Sequence, residues 1–275
     1  MTTTIAWLSY QNKTPSALTF ASDSRLTWKG SGQTWDYGRK IYWCKSSPDI
    51  FGFAGDVVSQ STVVSQVCEI FDHSASQLVQ GTPEDRHQAF VKFLKSATEA
   101  FPAARSNGLH VLHGLRDGED EDCDFRIWRT EEHAETHRWS DQELEFSIDG
   151  KKNRRDDPGQ FFGAGSGASK HRLCWERRIQ EAGRTSRSVF RALWDVIENA
   201  EDPMTGGLPQ IASLRTTGFA KPVGFCKDHL RSVCGLPLAA DGTGGDLEWR
   251  DENFRFLKPS SLELKSNAPE HYFNR

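Results

Sequence analysis

An α+β fold built on antiparallel strands is what this sequence predicts, and three observations predict it. Apolar segments and turns alternate at short spacing through residues 2–55, as in an antiparallel sheet. Stretches with helical periodicity follow from residue 57 and again after residue 167. The strands cluster ahead of the helices at the start of the chain, so the order of a parallel βαβ unit is missing.

Residues 5–8 read as a first strand and residues 17–20 as a second, and the run Ile50-Phe51-Gly52-Phe53-Ala54-Gly55 follows. Val57, Val58, Val63, Val64, Val67, Ile70 and Phe71 predict a helix over 57–72 packed on the sheet. Thr82-Pro83-Glu84-Asp85 is a helix start, with Thr82 as N-cap and proline in the first turn. The helix it opens carries Phe90, Phe93, Leu94, Ala97 and Phe101 on one face. Strands are expected at 109–115 and 124–130, with weaker ones at 137–139 and 143–148. Phe161-Phe162 leads into a glycine cluster. Helices are expected over 168–181, closed by Gly183, and over 188–200, with Val189, Leu193, Val196 and Ile197 inward.

Composition narrows the class. The 275 residues suffice for one domain with a sizeable core, and 36% hydrophobic with 26% charged residues is ordinary for a soluble protein. A net charge of −4 argues against a nucleic-acid surface, which is usually basic. No apolar run has the length of a membrane span, and no basic-then-apolar leader opens the chain. The six cysteines (Cys44, Cys68, Cys123, Cys174, Cys226, Cys234) form no C-x-x-C, which reads as reduced thiols in a cytoplasmic protein. A single unit over 1–275 is expected, with no internal repeat.

The chemistry centres on the first residues, Met1-Thr2-Thr3-Thr4-Ile5-Ala6. Removal of Met1 would leave Thr2 with a nucleophilic hydroxyl and, on the same residue, an α-amine to serve as its base. Such an amine has a pKa of about 7.7–8.0 and is largely protonated at neutral pH. A buried lysine ammonium beside it would lower that value, and a carboxylate would keep the lysine charged. Asp23 in Ala21-Ser22-Asp23-Ser24-Arg25 and Lys40 in Gly38-Arg39-Lys40-Ile41 are the residue types for that pair. The N–H of a glycine such as Gly55 would receive the oxyanion of a tetrahedral intermediate.

Thr-Thr-Thr-Ile-Ala, Ser-Asp-Ser-Arg, Arg-Lys-Ile and Phe-Ala-Gly, in this order, resemble the ordered motifs of proteasome β-subunits and their bacterial relatives HslV and Anbu. Gly165-Ser166-Gly167 resembles the family's serine between glycines. Asp202-Pro203-Met204-Thr205-Gly206-Gly207 resembles its Asp-x-x-Ser-Gly-Gly element, with threonine for serine. The resemblance spans roughly residues 2–215. It implies an N-terminal nucleophile hydrolase with a four-layer αββα sandwich, two antiparallel sheets flanked by helices. It implies Thr2 as nucleophile, Asp23 and Lys40 as the paired acid and lysine, Gly55 at the oxyanion, and Ser166, Asp202 and Thr205 in support. Phe53 falls where the family lines its specificity pocket, implying small or medium apolar side chains before the cut. Thr27 would present its backbone to an extended substrate. The implied activity is threonine-type endopeptidase, with no metal and no cofactor. The implied partners are a peptide or unfolded-protein substrate, further copies of the chain in a ring or open helix, and an ATPase unfoldase as a candidate. Activation would rest on loss of Met1, since no propeptide precedes Thr2. Four extra residues lengthen the first turn. The chain also exceeds the minimal bacterial peptidase at 131–160 and beyond about 215. That last stretch, taken as an extension over about 216–275, would add strands, grip a neighbouring subunit or cover the site.

Other patterns have plainer explanations. The cluster Gly163-Ala164-Gly165-Ser166-Gly167 partly matches a dinucleotide-binding pattern but lacks its βαβ context. His110 and His113 fall on opposite faces of one strand and read as a surface and a core histidine. Cys226, His229 and Cys234 miss zinc-motif spacing, Glu119 to Asp122 reads as a solvated hairpin turn, and Lys151 to Arg155 as a solvated loop. Asp23 and Lys40 also fit a plain structural ion pair, and Ser166 and Thr205 fit turn hydroxyls. Three rival functions stand beside the peptidase: an amidohydrolase of the same broad fold acting on a small amide, a catalytically silent ring subunit or scaffold, and a nucleotide-binding protein.

Overall fold

The computed structural model describes residues 2–11, 14–28, 30–73, 81–101, 108–146, 161–239 and 247–266. Strands β1 (Thr4–Gln11) and β2 (Thr14–Ser22) form the opening hairpin, followed by the short strands β3 (Leu26–Thr27) and β4 (Thr34–Trp35). Then come β5 (Ile41–Trp43), β6 (Asp49–Gly55), α1 (Val57–His73), α2 (Pro83–Glu99), β7 (Leu109–Asp117), β8 (Asp124–Glu132) and β9 (Trp139–Leu144). The chain continues through β10 (Phe161–Ala164), α3 (Ala168–Ala182), α4 (Ser186–Glu198), β11 (Gln210–Arg215) and β12 (Lys221–Lys227). It closes on β13 (Leu230–Val233), β14 (Leu236–Pro237), β15 (Glu248–Arg250) and β16 (Phe256–Leu257).

Local chemistry accounts for the helix ends. Thr82 caps α2 through a reciprocal box with Asp85, and Pro83 occupies the first turn, where its missing N–H costs nothing. Thr185 and Ser188 make the same box at α4, so that helix begins at Ser186, two residues ahead of the periodicity. Gly183 ends α3 at φ +65°. In place of the two weak strands expected at 137–139 and 143–148 there is one strand, β9, and residues 147–148 lie outside the described residues. His137 sits at φ +52° in a turn closed by its N–H to His133 O (2.8 Å), which delays the strand to Trp139. The basic stretch Lys151 to Arg155 lies outside the described residues.

One sheet runs β10-β1-β2-β11-β12-β13-β14, with β15 and β16 attached through β12; the other runs β5-β6-β7-β8-β9; β3 and β4 pair separately. Among the described residues, pairing is antiparallel except between β12 and β15, which are parallel. The expectation of two wholly antiparallel sheets is corrected there. Pro222, with no N–H to donate, is the last β12 residue paired with β11, and from Val223 onward β15 takes that side.

Alternation along β6 explains its unbroken apolar run. Phe51 and Phe53 point into a core with Val63, Val64, Val67 and Phe71 of α1 and Phe90 and Leu94 of α2. Ile50 and Ala54 point the other way, into the larger core that holds Ile5, Leu18 and Phe20 of the first sheet and Val189, Phe190 and Leu193 of α4. The strands after residue 215 are part of this larger core. Phe254 packs edge-on to Trp7 (5.4 Å) and against Phe190 (5.2 Å), and Phe225 contacts Trp194 (4.9 Å).

Candidate active site around Thr2

The start of β1 brings the sequence motifs together. Thr2 is buried (1% exposed) while the chain carries Met1. Its carbonyl backs onto the glycine cluster so closely that a Cβ at Gly165 would lie 1.9 Å from Thr2 O. The same virtual Cβ lies 2.9 Å from Ala54 Cβ, so the end of β6, with Gly55 at φ +118°, adjoins this point. Thr4, the first residue of β1, donates its hydroxyl to Phe53 O (2.9 Å), and Phe53 N–H bonds Lys40 O (3.2 Å).

Asp23 and Lys40 form an ion pair, Nζ to Oδ1 2.8 Å, with both side chains wholly buried. Asp23 Oδ1 also accepts the Thr3 N–H (3.0 Å), and Oδ2 accepts the N–H groups of Arg25 (3.0 Å) and Gly206 (3.0 Å). Burial pushes the Lys40 ammonium below the ordinary lysine value, and Asp23 opposes that shift. An ammonium carries three hydrogens, and among the described residues Asp23 takes one of them.

A chain of hydroxyls runs on the opposite side. Thr205 Oγ1 bonds Asp202 Oδ2 (2.8 Å) and Thr3 Oγ1 (2.7 Å). The carboxylate only accepts, so the single Thr205 hydrogen goes to Asp202, and Thr3 is the donor to Thr205. Ser166 donates to the same Asp202 oxygen (3.3 Å), and the Met204 N–H holds the other (3.1 Å). Gly167 leaves room for this arrangement, because a Cβ there would stand 1.7 Å from Thr3 Oγ1.

The structure thus gathers Thr2, Asp23, Lys40, Ser166, Asp202 and Thr205 around one end of the first sheet, with Gly55 one residue from the contact at Ala54. Phe53 is wholly buried and stacked on Tyr42 (6.1 Å between centroids), beneath α1 and α2. A substrate side chain would reach its ring only if its neighbours moved. Thr27 pairs with Thr34 across the small β3–β4 hairpin. Several site residues were missed. Thr3 is indistinguishable from its neighbours in a run of three threonines. Gln210 has no motif around it. The bidentate Arg25–Asp36 pair (2.7 and 2.9 Å), which braces the segment after Asp23, carries a weak signal, an arginine next to the Ser-Asp-Ser motif.

No family model matches the sequence, and no curated protein matches it. Solved structures do. Anbu from Hyphomicrobium sp. strain MC1, a Gly-1 mutant, aligns at TM-score 0.52 and 13% identity, over 81% of this chain and 87% of that one. Anbu from Yersinia bercovieri, described as an ancestral beta-subunit, aligns at TM-score 0.52 and 12% identity, over 80% and 86%. The fold is similar to that of Anbu. At this identity the likeness to Anbu is one of fold, so the chemistry rests on the residues just described.

Proposed function

We propose that this protein is a proteasome-like N-terminal threonine peptidase, arranged as the four-layer αββα sandwich, that acts through Thr2 once Met1 is removed. The observation that carries the reading is the wholly buried Lys40–Asp23 pair, tied to the chain one residue from Thr2 by the Thr3 N–H. A desolvated ammonium is costly unless it is paired and hydrogen-bonded. Lys40 retains hydrogens beyond the one given to Asp23, and a hydroxyl next to it is the fitting acceptor.

In this mechanism Thr2 Oγ attacks the scissile carbonyl and its proton passes to the freed Thr2 α-amine, directly or through a water. Lys40 lowers the pKa of that amine by charge repulsion and stabilises the developing alkoxide. Asp202, through Ser166 and Thr205, holds the polar wall behind the amine. The Gly55 N–H receives the oxyanion, the amine returns its proton to the leaving group, and water hydrolyses the ester. An extended peptide adds a strand at Thr27. The Trp28 N–H bonds Gln33 O (3.0 Å), so the preceding pair Thr27–Thr34 is the non-hydrogen-bonded kind, and the Thr27 N–H and C=O point away from β4. Self-assembly into a ring or helix, an ATPase feeding it and a cytoplasmic setting complete the reading. Among the described residues no helix is long and apolar enough to cross a membrane.

Intact mass before and after an epoxyketone that requires an N-terminal threonine tests this. Loss of Met1 and one inhibitor mass on the first peptide are expected, and Thr2→Ala should abolish both adduct and turnover while folding normally. A folded Thr2→Ala protein that still cleaves peptides would reject the proposal.

A further inference from the structure

Gln210, the first residue of β11, is buried (1% exposed) and binds three segments at once. Its Oε1 accepts the Lys40 N–H (3.0 Å). The two hydrogens of its Nε2 are shared among three acceptors, Gly38 O (2.6 Å) and, at 3.2 Å each, Asp23 O and Ser24 Oγ. One amide therefore fixes the backbone on which Lys40 stands relative to the backbone on which Asp23 stands. A neutral amide suits the place. It satisfies both donors and acceptors there, whereas a carboxylate would face the Gly38 and Asp23 carbonyls with lone pairs.

The turn between β13 and β14 closes this arrangement from behind. Cys234 and Gly235 both take positive φ (+53° and +79°). A Cβ on Gly235 would lie 2.0 Å from Ser24 Oγ and 3.1 Å from Gln210 Cγ. Ser24 is itself held, by its hydroxyl to Leu208 O (2.5 Å) and its N–H to Gly206 O (2.9 Å). The backbone of the C-terminal strands is thus wedged against the residue after Asp23 and against the side chain that holds Lys40.

We propose that Gln210 is a positioning residue for the Lys40–Asp23 pair, and that the Cys234–Gly235 turn, supplied by the strands beyond residue 215, is the buttress that keeps it there. This deepens, and rests on, the reading of Thr2 as the nucleophile. Lysine is a flexible four-carbon stem whose ammonium keeps its place only if its backbone does, and misplacement by about 1 Å can cost about a hundredfold in rate.

The test uses the full chain with Met1 removed and three variants. Gln210→Leu removes the hydrogen bonds at similar volume. Gly235→Ala pushes on Ser24. Gly183→Ala is the control, also at positive φ (+65°) but open to space at the far end of α3. The Lys40 ammonium is titrated by NMR on protein carrying 15N-lysine, and kcat, KM and the pH profile are measured on a fluorogenic peptide. Gln210→Leu and Gly235→Ala are expected to move the Lys40 titration and the acidic limb of the profile by about half a pH unit or more. Both should lower kcat about tenfold with KM within about twofold, and Gly183→Ala should do neither. An unmoved Lys40 titration in folded Gln210→Leu, whatever its melting temperature, overturns the proposal. Should that variant not fold, Gln210→Asn, which keeps the amide but falls one methylene short, is judged by the same criterion. Absence of turnover and of inhibitor adduct in the parent would reject the nucleophile reading alone, since the Lys40 titration still decides the role of Gln210.

Discussion

At the scale of single residues, the site is governed by close approach. Gly165 and Gly167 are in the chain because the carbonyl of Thr2 and the hydroxyl of Thr3 occupy the space a side chain would need, with virtual Cβ distances of 1.9 and 1.7 Å. Gly167→Ala forces the N-terminal strand and the glycine loop apart and breaks the Thr3–Thr205–Asp202 hydroxyl chain. The expected result is a loss of about two orders of magnitude in turnover and about 2 kcal/mol of stability from overpacking, read from peptide kinetics and the urea midpoint. The triple threonine illustrates what residue type alone leaves open. Thr2, Thr3 and Thr4 are chemically identical, yet one faces the glycine cluster with its carbonyl, one joins Thr205, and one holds Ser22 and Phe53. Which does which is set by strand alternation together with partners up to two hundred positions away.

At the scale of elements, the sequence was most legible where a local rule decides. The Thr82 cap and the Gly183 stop sit at the ends of helices whose apolar stripes are also plain, whereas the Thr185 cap starts α4 two residues ahead of its stripe. Strand β9 was less legible, because a positive φ at His137 has no signature in its neighbours. Helix α2 is further anchored by His87, whose Nδ1 meets His113 Nδ1 (3.0 Å) and whose Nε2 meets Asp141 (3.0 Å), while His113 Nε2 meets Asp49 (2.9 Å). Nothing in the spacing of those four residues points to one another. Thr82→Ala, which removes the α2 cap, should cost about 1 kcal/mol in a denaturant titration. Activity per folded molecule should be unchanged, since α2 packs on the face of the second sheet away from Thr2.

At the scale of the whole molecule, the layers are pinned by buried polar groups as well as by apolar packing. His171 on α3 is wholly buried, bonds Val189 O on α4 (2.8 Å), and is pushed to about 4 by desolvation. Its unfolded value is about 6.5. Between these two values the unfolded chain binds more protons, so stability falls as pH drops through this window and is fully present above it. The contribution is roughly 3 kcal/mol by the free energy of one pKa unit. Urea midpoints at pH 7 and pH 4.5 should differ strongly for the parent and less for His171→Gln, which keeps a donor for Val189 O without titrating. Equal pH dependence in the two proteins would assign the acid sensitivity elsewhere. The strands beyond residue 215 belong to this scale too, since Phe254 and Phe225 complete the core between β1 and α4.

Local chemistry, then, was enough for the helices, the opening hairpin and the second sheet's main strands, because each depends on periodicity, capping or turn residues within a few positions, while the short motifs around Asp23, Lys40, Gly165 and Asp202 were legible through their resemblance to a known family's ordered motifs. Three things depended on the folded chain: the meeting of those motifs at one end of a sheet, the amide of Gln210 between them, and the parallel return of β15 beside β12. Each is a contact between segments far apart in the chain, paid for by burial of the whole core, and no local preference encodes the partner. The same reason places Phe53 under α1 and α2, where both faces of β6 are covered at once and an apolar run cannot say which face a given side chain takes.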